Sequence, residues 1–385
     1  MVADVELEVL RIAHGGVAVA ELEGRVVFVA DTLPGERVRA RIVDDAHDRF
    51  WRAETLEVLQ PSPDRQPHVW AAAAVDRAPE QRAGGAELGH VRPARQRALK
   101  EQVLCDALQR TGGVDPAGLD TAVRRVPGNE DGTRSRTRVR LHVDDAGRVG
   151  PYAARSRTVV PVSDLPLAVE PVEALLPERA TGRSLDLVAT GGRATVAHRG
   201  DPPIVERVGD REFALEATGF WQVHPAAPGV LQQAVRDALD PAAFDPDADN
   251  LDLYGGVGLL AAALGDARVT TVEADRAASG HAAANLGPRA RAVAARVDRF
   301  LARPRRLPGA TVVLDPPRSG AGAEVVRAIA AAGPARIVYV ACDPVALARD
   351  LRTFSALGWR AERLEAFDLF PNTHHLEAVA ALVPA

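Results

Sequence analysis

The sequence predicts an α/β protein, with a doubly wound parallel sheet in its C-terminal part, a small N-terminal β-barrel and a mixed α+β central domain between them. Three observations carry this. From about residue 226 onward, apolar runs of strand length alternate with Ala/Leu/Arg helical patterns. The first sixty residues instead hold short alternating runs separated by Gly turns. Pro61-Ser62-Pro63-Asp64 stands between the two kinds of pattern, and paired prolines cannot enter a helix interior or a central strand. Alternating strands and helices build a parallel sheet whose ligands bind beyond the carboxyl ends of the strands.

The elements follow in order, with boundaries at 1–60, 61–225 and 226–385. Val38-Arg39-Ala40-Arg41-Ile42 alternates with the period of a strand, and Glu23-Gly24-Arg25 and Leu33-Pro34-Gly35-Glu36 supply turns. Residues 94–110 have the spacing of an amphipathic helix: Leu99, Val103, Leu104 and Leu108 share one side, Gln- and Arg-rich positions lie opposite, and Gly112-Gly113 stops it. Arg134, Arg136, Arg138 and Arg140 alternate with Ser135, Thr137, Val139 and Leu141, so a strand there would carry four guanidinium groups on one face. In the last part, Leu251–Tyr254, Val269–Glu273, Thr311–Asp315 and Ile337–Ala341 read as strands, and Ala378–Val383 as a final one.

Composition bounds the function. The chain has 385 residues, room for two or three domains, and a formal net charge of −5. Of its 47 basic residues all but Lys100 are arginine, and residues 122–160 carry nine Arg against four acids, so the acidic total hides a basic segment. Cys105 and Cys342 are the only cysteines, too few for a disulfide framework or a Cys-ligated cluster, which fits a reducing cytoplasm. No apolar run is long enough to span a membrane, and Met1–Leu10 lacks the basic flank and apolar core of a signal peptide.

Five features point to chemistry. Asp252-Leu-Tyr254-Gly255-Gly256-Val-Gly258-Leu259 puts glycines at a strand-to-helix turn, where the backbone can approach a ligand closely. Glu273, at the end of the next strand, can accept hydrogen bonds from both ribose hydroxyls of an adenosine ligand. Asp315-Pro316-Pro317-Arg318 holds a carboxylate in a stiff loop at the sheet edge. Cys342 directly precedes Asp343-Pro344, a good N-cap and first helical residue, and a thiol at a helix N-terminus is expected to have a lowered pKa. Phe370-Pro-Asn-Thr-His-His-Leu-Glu377 enters the final strand, where general-base chemistry fits better than a metal site. Several have an ordinary structural reading when taken singly: a Gly turn, a strand-end acid, a rigid connection, a buried cysteine; the arginine face likewise reads as a solvated strand face.

In combination, Asp315-Pro-Pro-Arg318, Cys342-Asp-Pro344 with Arg349-Asp350, and Phe370-Pro-x-Thr373-x-His375-x-Glu377 resemble the S-adenosylmethionine-dependent RNA uridine C5 methyltransferases, which make 5-methyluridine in tRNA or 23S rRNA. Gly219-Phe220-Trp221-Gln222 is similar to the family's Phe-x-Gln segment, and residues 1–60 are similar to the OB-like TRAM barrel that binds RNA. The resemblance implies a Rossmann-like methyltransferase sheet and a donor site lined by Gln222, Tyr254, Gly256, Gly258, Glu273, Asp298 and Asp315. It further implies Cys342 as the nucleophile that adds to uracil C6 and Glu377 as the base that removes the C5 proton; with RNA as substrate, the face of Arg134, Arg136, Arg138 and Arg140 would then hold phosphates. The barrel favours 23S rRNA over tRNA as substrate, and the chain is expected to act as a cytoplasmic monomer.

Two departures stand out. Ala83-Gly84-Gly85-Ala86 occupies the place of a Cys-Gly-Gly-Cys core, so no iron-sulfur cluster is expected. Leu259 stands where the family often has Asn for a polar contact to the methyl donor. The competing readings are a cytosine-C5 or other RNA methyltransferase and a noncatalytic RNA-binding protein on the same fold. An N-methyltransferase would leave Cys342 and Glu377 without a role, and an inactive protein would have no need of either.

Overall fold

The structure is a computed structural model that describes residues 4–47 and 49–385. Met1, Val2 and Ala3, which open the N-terminal stretch read above for a signal, lie outside the described residues. The chain forms two compact units: one contains the chain up to Val103, Pro127–Ala197 and Phe370–His375, and the other Leu104–Val126, His198–Leu369 and Leu376–Ala385.

The first unit opens with β1 (Asp4–Ile12), β2 (Ala18–Leu22), β3 (Arg25–Ala30), β4 (Arg37–Asp44) and β5 (Phe50–Gln60), closed into a barrel in the order β1-β2-β3-β5-β4. Alternate residues such as Leu7, Val9, Val27, Val29, Val38 and Ala40 fill its interior, and closure leaves no unpaired strand edge. Glu23 and Gly24, with φ of 51° and 77°, make the two-residue turn between β2 and β3. The Pro61–Asp64 linker is tied down: the buried Glu36 carboxylate accepts from Ser62 N at 3.1 Å and pairs with Arg65 at 2.6 Å.

Helix α1 (Pro93–Asp106) continues into a π-helical turn, Ala107–Gly112, which Gly113 ends in a left-handed conformation. Its buried side is not purely apolar, because Gln96 and Lys100 are buried along with Leu99 and Leu104. After β6 (Val123–Arg125), which belongs to the second unit, come β7 (Arg138–Val143), β8 (Val149–Gly150), α2 (Glu170–Glu173), β9 (Ser184–Thr190) and β10 (Arg193–Ala197). These four strands form an antiparallel sheet in the order β10-β9-β7-β8. The expected strand from Arg134 begins only at Arg138: Arg134 adopts φ 55°, and the N–H groups of Arg134, Ser135 and Arg136 bond to the carbonyls of Pro166 and Leu167 instead.

The second unit contains the hairpin β11 (Ile204–Val208) and β12 (Arg211–Leu215), which the sequence did not suggest, then α3 (Ala227–Ala238), β13 (Asn250–Leu253), β14 (Val269–Glu273), α4 (Arg276–Asn285), β15 (Ala290–Ala294) and α5 (Val297–Leu301). It continues through β16 (Thr311–Leu314), α6 (Gly322–Ala332), β17 (Arg336–Ala341), α7 (Pro344–Ser355), β18 (Trp359–Asp368) and β19 (Glu377–Pro384). One sheet runs β15-β14-β13-β16-β17-β19-β18-β6. Its first five strands are parallel, and β19 inserts antiparallel between β17 and β18. The central strands are near-continuous apolar runs, as a sheet covered on both faces requires; Leu253, Val312, Leu314, Ile337 and Tyr339 are fully buried. Among the described residues, no helix is long and apolar enough to cross a membrane.

Candidate active site

The register of the parallel sheet assembles the first half of the site. Leu253 lies opposite Val272 on one side and Leu314 on the other, so the next residue on each strand, Tyr254, Glu273 and Asp315, stands at the carboxyl edge of three neighbouring strands. The chain there must turn tightly. Tyr254 takes φ 62°, Gly256 54° and Gly258 93°, and a Cβ on Gly255 would collide with the side chains of Thr271 and Asp252. Gly256 N and Asp275 N each donate to the Glu273 carboxylate, at 3.0 and 2.7 Å, which fixes its direction.

Beneath this turn Asp252 is fully buried. One of its oxygens accepts from Thr271 Oγ1 at 3.0 Å, and the Ala261 backbone also favours the ionised carboxylate. Burial pushes its pKa up to about 7, and burial together with the charge of Asp252 does the same to Asp315. Asp298, in the first turn of α5, is held below the usual carboxylate range by Arg296, with which it pairs at 2.8 Å. Gln222 is buried ahead of α3. Leu259 has no polar side chain, and Gln232 Nε2 donates to its carbonyl at 2.9 Å.

These residues suit an adenosine-bearing donor. A Cβ on Gly256 would stand in open space that a ligand can take, and a carboxylate stands at the end of the second strand.

The second half comes from the antiparallel insertion. Val340 pairs with Val379 and Ala341 with Ala378, which places Cys342 and Glu377 opposite one another at the next position, beside the Asp315 loop. Asp343 accepts from Ala346 N at 2.8 Å and caps α7, as its spacing implies. The thiol itself departs from the expectation of a lowered pKa. Burial, then Glu377, then Asp315 push Cys342 up to about 12, outweighing its place at a helix start. Glu377 is 3% exposed, and burial and the charge of Asp315 hold its pKa well above the carboxylate range.

Arg318 opposes both shifts with its positive charge, a role that its place after Asp315-Pro-Pro does not reveal. Its loop is anchored from α7. Asp350 is fully buried and accepts from Tyr339 Oη at 2.7 Å and from Ala321 N at 2.8 Å, while Arg349 donates to the Ser319 carbonyl at 2.5 Å. Thus the helix that begins beside the thiol also holds the loop that carries its counter-charge. Replacing Arg318 with Leu is expected to move the rising limb of the pH–rate profile to higher pH, because removing a cation raises the pKa of thiol and carboxylate alike. The rate at pH 7.5 should fall at least about tenfold, a one-unit move being tenfold in thiolate fraction. An unmoved limb in single-turnover assays from pH 6 to 10 would remove Arg318 from the chemistry.

The four arginines do not share one face. Arg134 pairs with Glu173, Arg136 donates to the Gly85 carbonyl at 2.6 Å, and Arg140 pairs with Asp186 at 2.7 Å. Only Arg138 and Arg140 lie in a strand, two residues apart on β7 and so on the same side. His374, within the Phe370–His375 turn, pairs with Glu87 at 3.6 Å, and that contact brings the Glu87 pKa down to about 2 despite burial. A surface cavity of about 830 Å³ lies elsewhere, lined by Asp210, Arg211, Gln232 and Arg236 and by none of the sheet-edge residues.

A family model described as tRNA (Uracil-5-)-methyltransferase matches residues 305–383, the span from the Asp315 loop through Cys342 to Glu377. The chain is 38% identical to an RNA methyltransferase of Streptomyces coelicolor, over 99% of this chain and 93% of that one. It is 32% identical to the 23S rRNA (uracil(1939)-C(5))-methyltransferase of Pseudomonas entomophila, over 96% and 91% of the two chains. The fold matches that of the Pyrococcus abyssi tRNA (uracil-54, C5)-methyltransferase, solved in complex with S-adenosyl-L-homocysteine, with a TM-score of 0.72 at 20% identity over 98% and 99% of the chains. On sequence similarity along nearly its whole length, the chain belongs to the S-adenosylmethionine-dependent RNA uracil-C5 methyltransferases.

Proposed function

We propose that this protein methylates C5 of a uridine in 23S rRNA through a covalent adduct between Cys342 and uracil C6. The observation that carries the reading is the β17–β19 pairing, whose last register pair, Ala341 and Ala378, is followed on one strand by Cys342 and preceded on the other by Glu377. Uracil C5 is a poor nucleophile, and addition of the Cys342 thiolate to C6 converts it into the carbon of an enolate. S-Adenosylmethionine, when bound, supplies the electrophilic methyl group. Gln222, Tyr254, Gly256, Gly258, Glu273, Asp298 and Asp315 are the residues that would hold it. Glu377 then takes the C5 proton, the C5–H electrons re-form the ring double bond, and the S–C6 bond breaks to release Cys342. In net terms C5 exchanges a proton for a methyl group, and the thiolate is recovered.

The target base must leave its stack to meet a half-buried thiol, so a looped-out or flipped uridine is required. Residues 1–60, a TRAM-like barrel in this reading, and the β7 face hold the surrounding RNA, with residues 226–385 carrying the chemistry and 61–225 joining the two. Arg140, exposed, and Arg138, whose buried Nε and Nη2 must turn outward for this, are the phosphate contacts; Arg134 and Arg136 serve local structure. The Arg140–Asp186 pair is exposed, and such pairs are weak enough to yield to a phosphate. Replacing Arg138 and Arg140 with Ser should weaken RNA binding and reduce the slope of log affinity against log salt by about 0.7 to 0.9 per lost contact. A slope equal to that of the unaltered protein would move the RNA path elsewhere.

The substrate assignment rests on the barrel and on the 32% identical 23S rRNA enzyme. Nucleoside mass spectrometry of 23S rRNA and tRNA from a deletion strain tests it: loss of 5-methyluridine from 23S rRNA supports the assignment, and loss from tRNA alone overturns it.

A further inference from the structure

Lys100 is the sole lysine of the chain and takes no part in the chemistry described so far. It lies one helical turn beyond Gln96 on α1, and both are buried, at 2% and 1% exposure. A buried ammonium is costly unless it is hydrogen-bonded, and Lys100 Nζ donates to the carbonyl of Phe370 at 3.0 Å. Gln96 grips the same segment two residues on. Its Oε1 accepts from Asn372 N and its Nε2 donates to Asn372 Oδ1, both at 2.8 Å.

The gripped segment is a strained one. Asn372 is fully buried with φ 64°, a left-handed conformation that Asn tolerates better than most residues. Its Nδ2 donates to the Asp131 carbonyl at 3.0 Å, and its own carbonyl accepts from Leu88 N at 3.0 Å. Thr373 Oγ1 donates to the Phe370 carbonyl at 2.8 Å, so the oxygen that Lys100 holds is also the one that closes the turn. A lysine fits this place because an ammonium is a compact donor, whereas a guanidinium is a wide planar fork.

We infer that Gln96 and Lys100 are positioning residues for Glu377. The Phe370–His375 turn connects β18 to β19, and β19 begins with Glu377, two residues after His375. Side-chain direction alternates along a strand, so a slip of one residue at its entry would turn Glu377 to the opposite face of the sheet. Fixing the carbonyl of Phe370 and both the backbone and side chain of Asn372 sets the phase at which the strand starts, and hence the place of the carboxylate. The inference rests on the reading of Glu377 as the base that takes the C5 proton.

The test uses the full chain with Lys100→Met, Asn372→Gly and Glu377→Gln variants. The glycine keeps the left-handed backbone and removes the side chain that Gln96 holds, so it serves if Lys100→Met does not fold. Tritium release from C5-tritiated uridine in substrate RNA, the persistence of a covalent RNA–protein band on a denaturing gel, and donor binding by calorimetry are measured together. In Lys100→Met and Asn372→Gly, tritium release is expected to fall on the order of 10²-fold, with KM for RNA within about threefold of the unaltered protein, donor affinity unchanged and the covalent band accumulating. A merely structural role would lower all activities and donor binding without trapping the adduct. If Glu377→Gln traps the adduct and the folded Lys100→Met and Asn372→Gly variants do not, the positioning role is wrong and the base stands. If Glu377→Gln itself traps none, the base assignment fails and the positioning role falls with it.

Discussion

Replacing Cys342 with Ala is expected to abolish methyl transfer while S-adenosylmethionine still binds. Without the sulfur, C5 of uracil has no route to enolate character, and no second thiol stands in its place; Cys105 lies on α1, within hydrogen-bond distance of Thr121. Loss of a covalent nucleophile typically costs on the order of 10⁴-fold or more. Donor binding should survive because the groups that would hold the donor lie just past β13 and β16, on β14 and α5 and ahead of α3, none of them on the β17–α7 segment that carries the thiol. Transfer of a labelled methyl group to RNA and calorimetry of donor binding check both halves, and turnover within tenfold of the unaltered enzyme would sink the covalent mechanism.

The raised pKa of the thiol gives this variant a companion measurement. With burial and two carboxylates pushing Cys342 up to about 12, alkylation by iodoacetamide in the free enzyme, measured in a Cys105→Ser background, should rise about tenfold per pH unit from 7 to 10. A plateau near pH 8 would mean that the thiol is already activated before RNA binds. The sign of this shift was not legible in the sequence. Cys342-Asp343-Pro344 reads correctly as a helix start, and a helix start lowers a thiol pKa, but burial outweighs it, and Glu377 adds to the effect of burial only because β19 runs antiparallel between β17 and β18. Two residues so far apart in sequence become neighbours by topology, which no local spacing encodes.

The parallel strands were easier to read for a physical reason. β16 and β17 are buried on both faces and are short apolar runs, β13 and β14 mix buried aliphatics with Asn, Asp and Thr, and all four end where a ligand edge requires Gly, Pro or an acid. β11, β12, β15 and β18 carry exposed charged residues among apolar ones, and that pattern does not distinguish them from loops or helices. The arginine run fails in the opposite way. Arg134 to Leu141 alternates like a strand throughout, yet the carbonyls of Pro166 and Leu167 take the first three N–H groups and bend the backbone into a left-handed turn. Helical periodicity misplaces Gln96 for a related reason: it assigns polar residues to solvent, whereas α1 buries two of them against a turn that needs hydrogen-bond partners.

Replacing Glu377 with Gln is expected to stop the reaction after methyl transfer and leave RNA covalently attached to the protein. Gln has nearly the same shape and can accept a hydrogen bond, but it cannot take a proton from C5. With that proton in place the C6–sulfur bond has no electron pair to expel it, so the adduct persists, and release should slow by about 10²- to 10⁴-fold. Burial and the charge of Asp315 raise the Glu377 pKa, which makes the side chain a stronger base than an ordinary carboxylate and keeps it protonated at low pH in the free enzyme. The sign of the pH dependence follows: the wild-type rate of product release should climb as pH rises and the Glu377 proton is lost, whereas the residual rate of the Gln variant should lack that titration. Both are read from one experiment, in which methyl-labelled RNA is resolved on a denaturing gel across pH 6 to 10. Absence of a labelled protein band, with product released at the unaltered rate, would transfer the role of base to another group. A band that forms without label would place the block before methyl transfer, and would make Glu377 a group that assists the addition of Cys342 instead of its elimination.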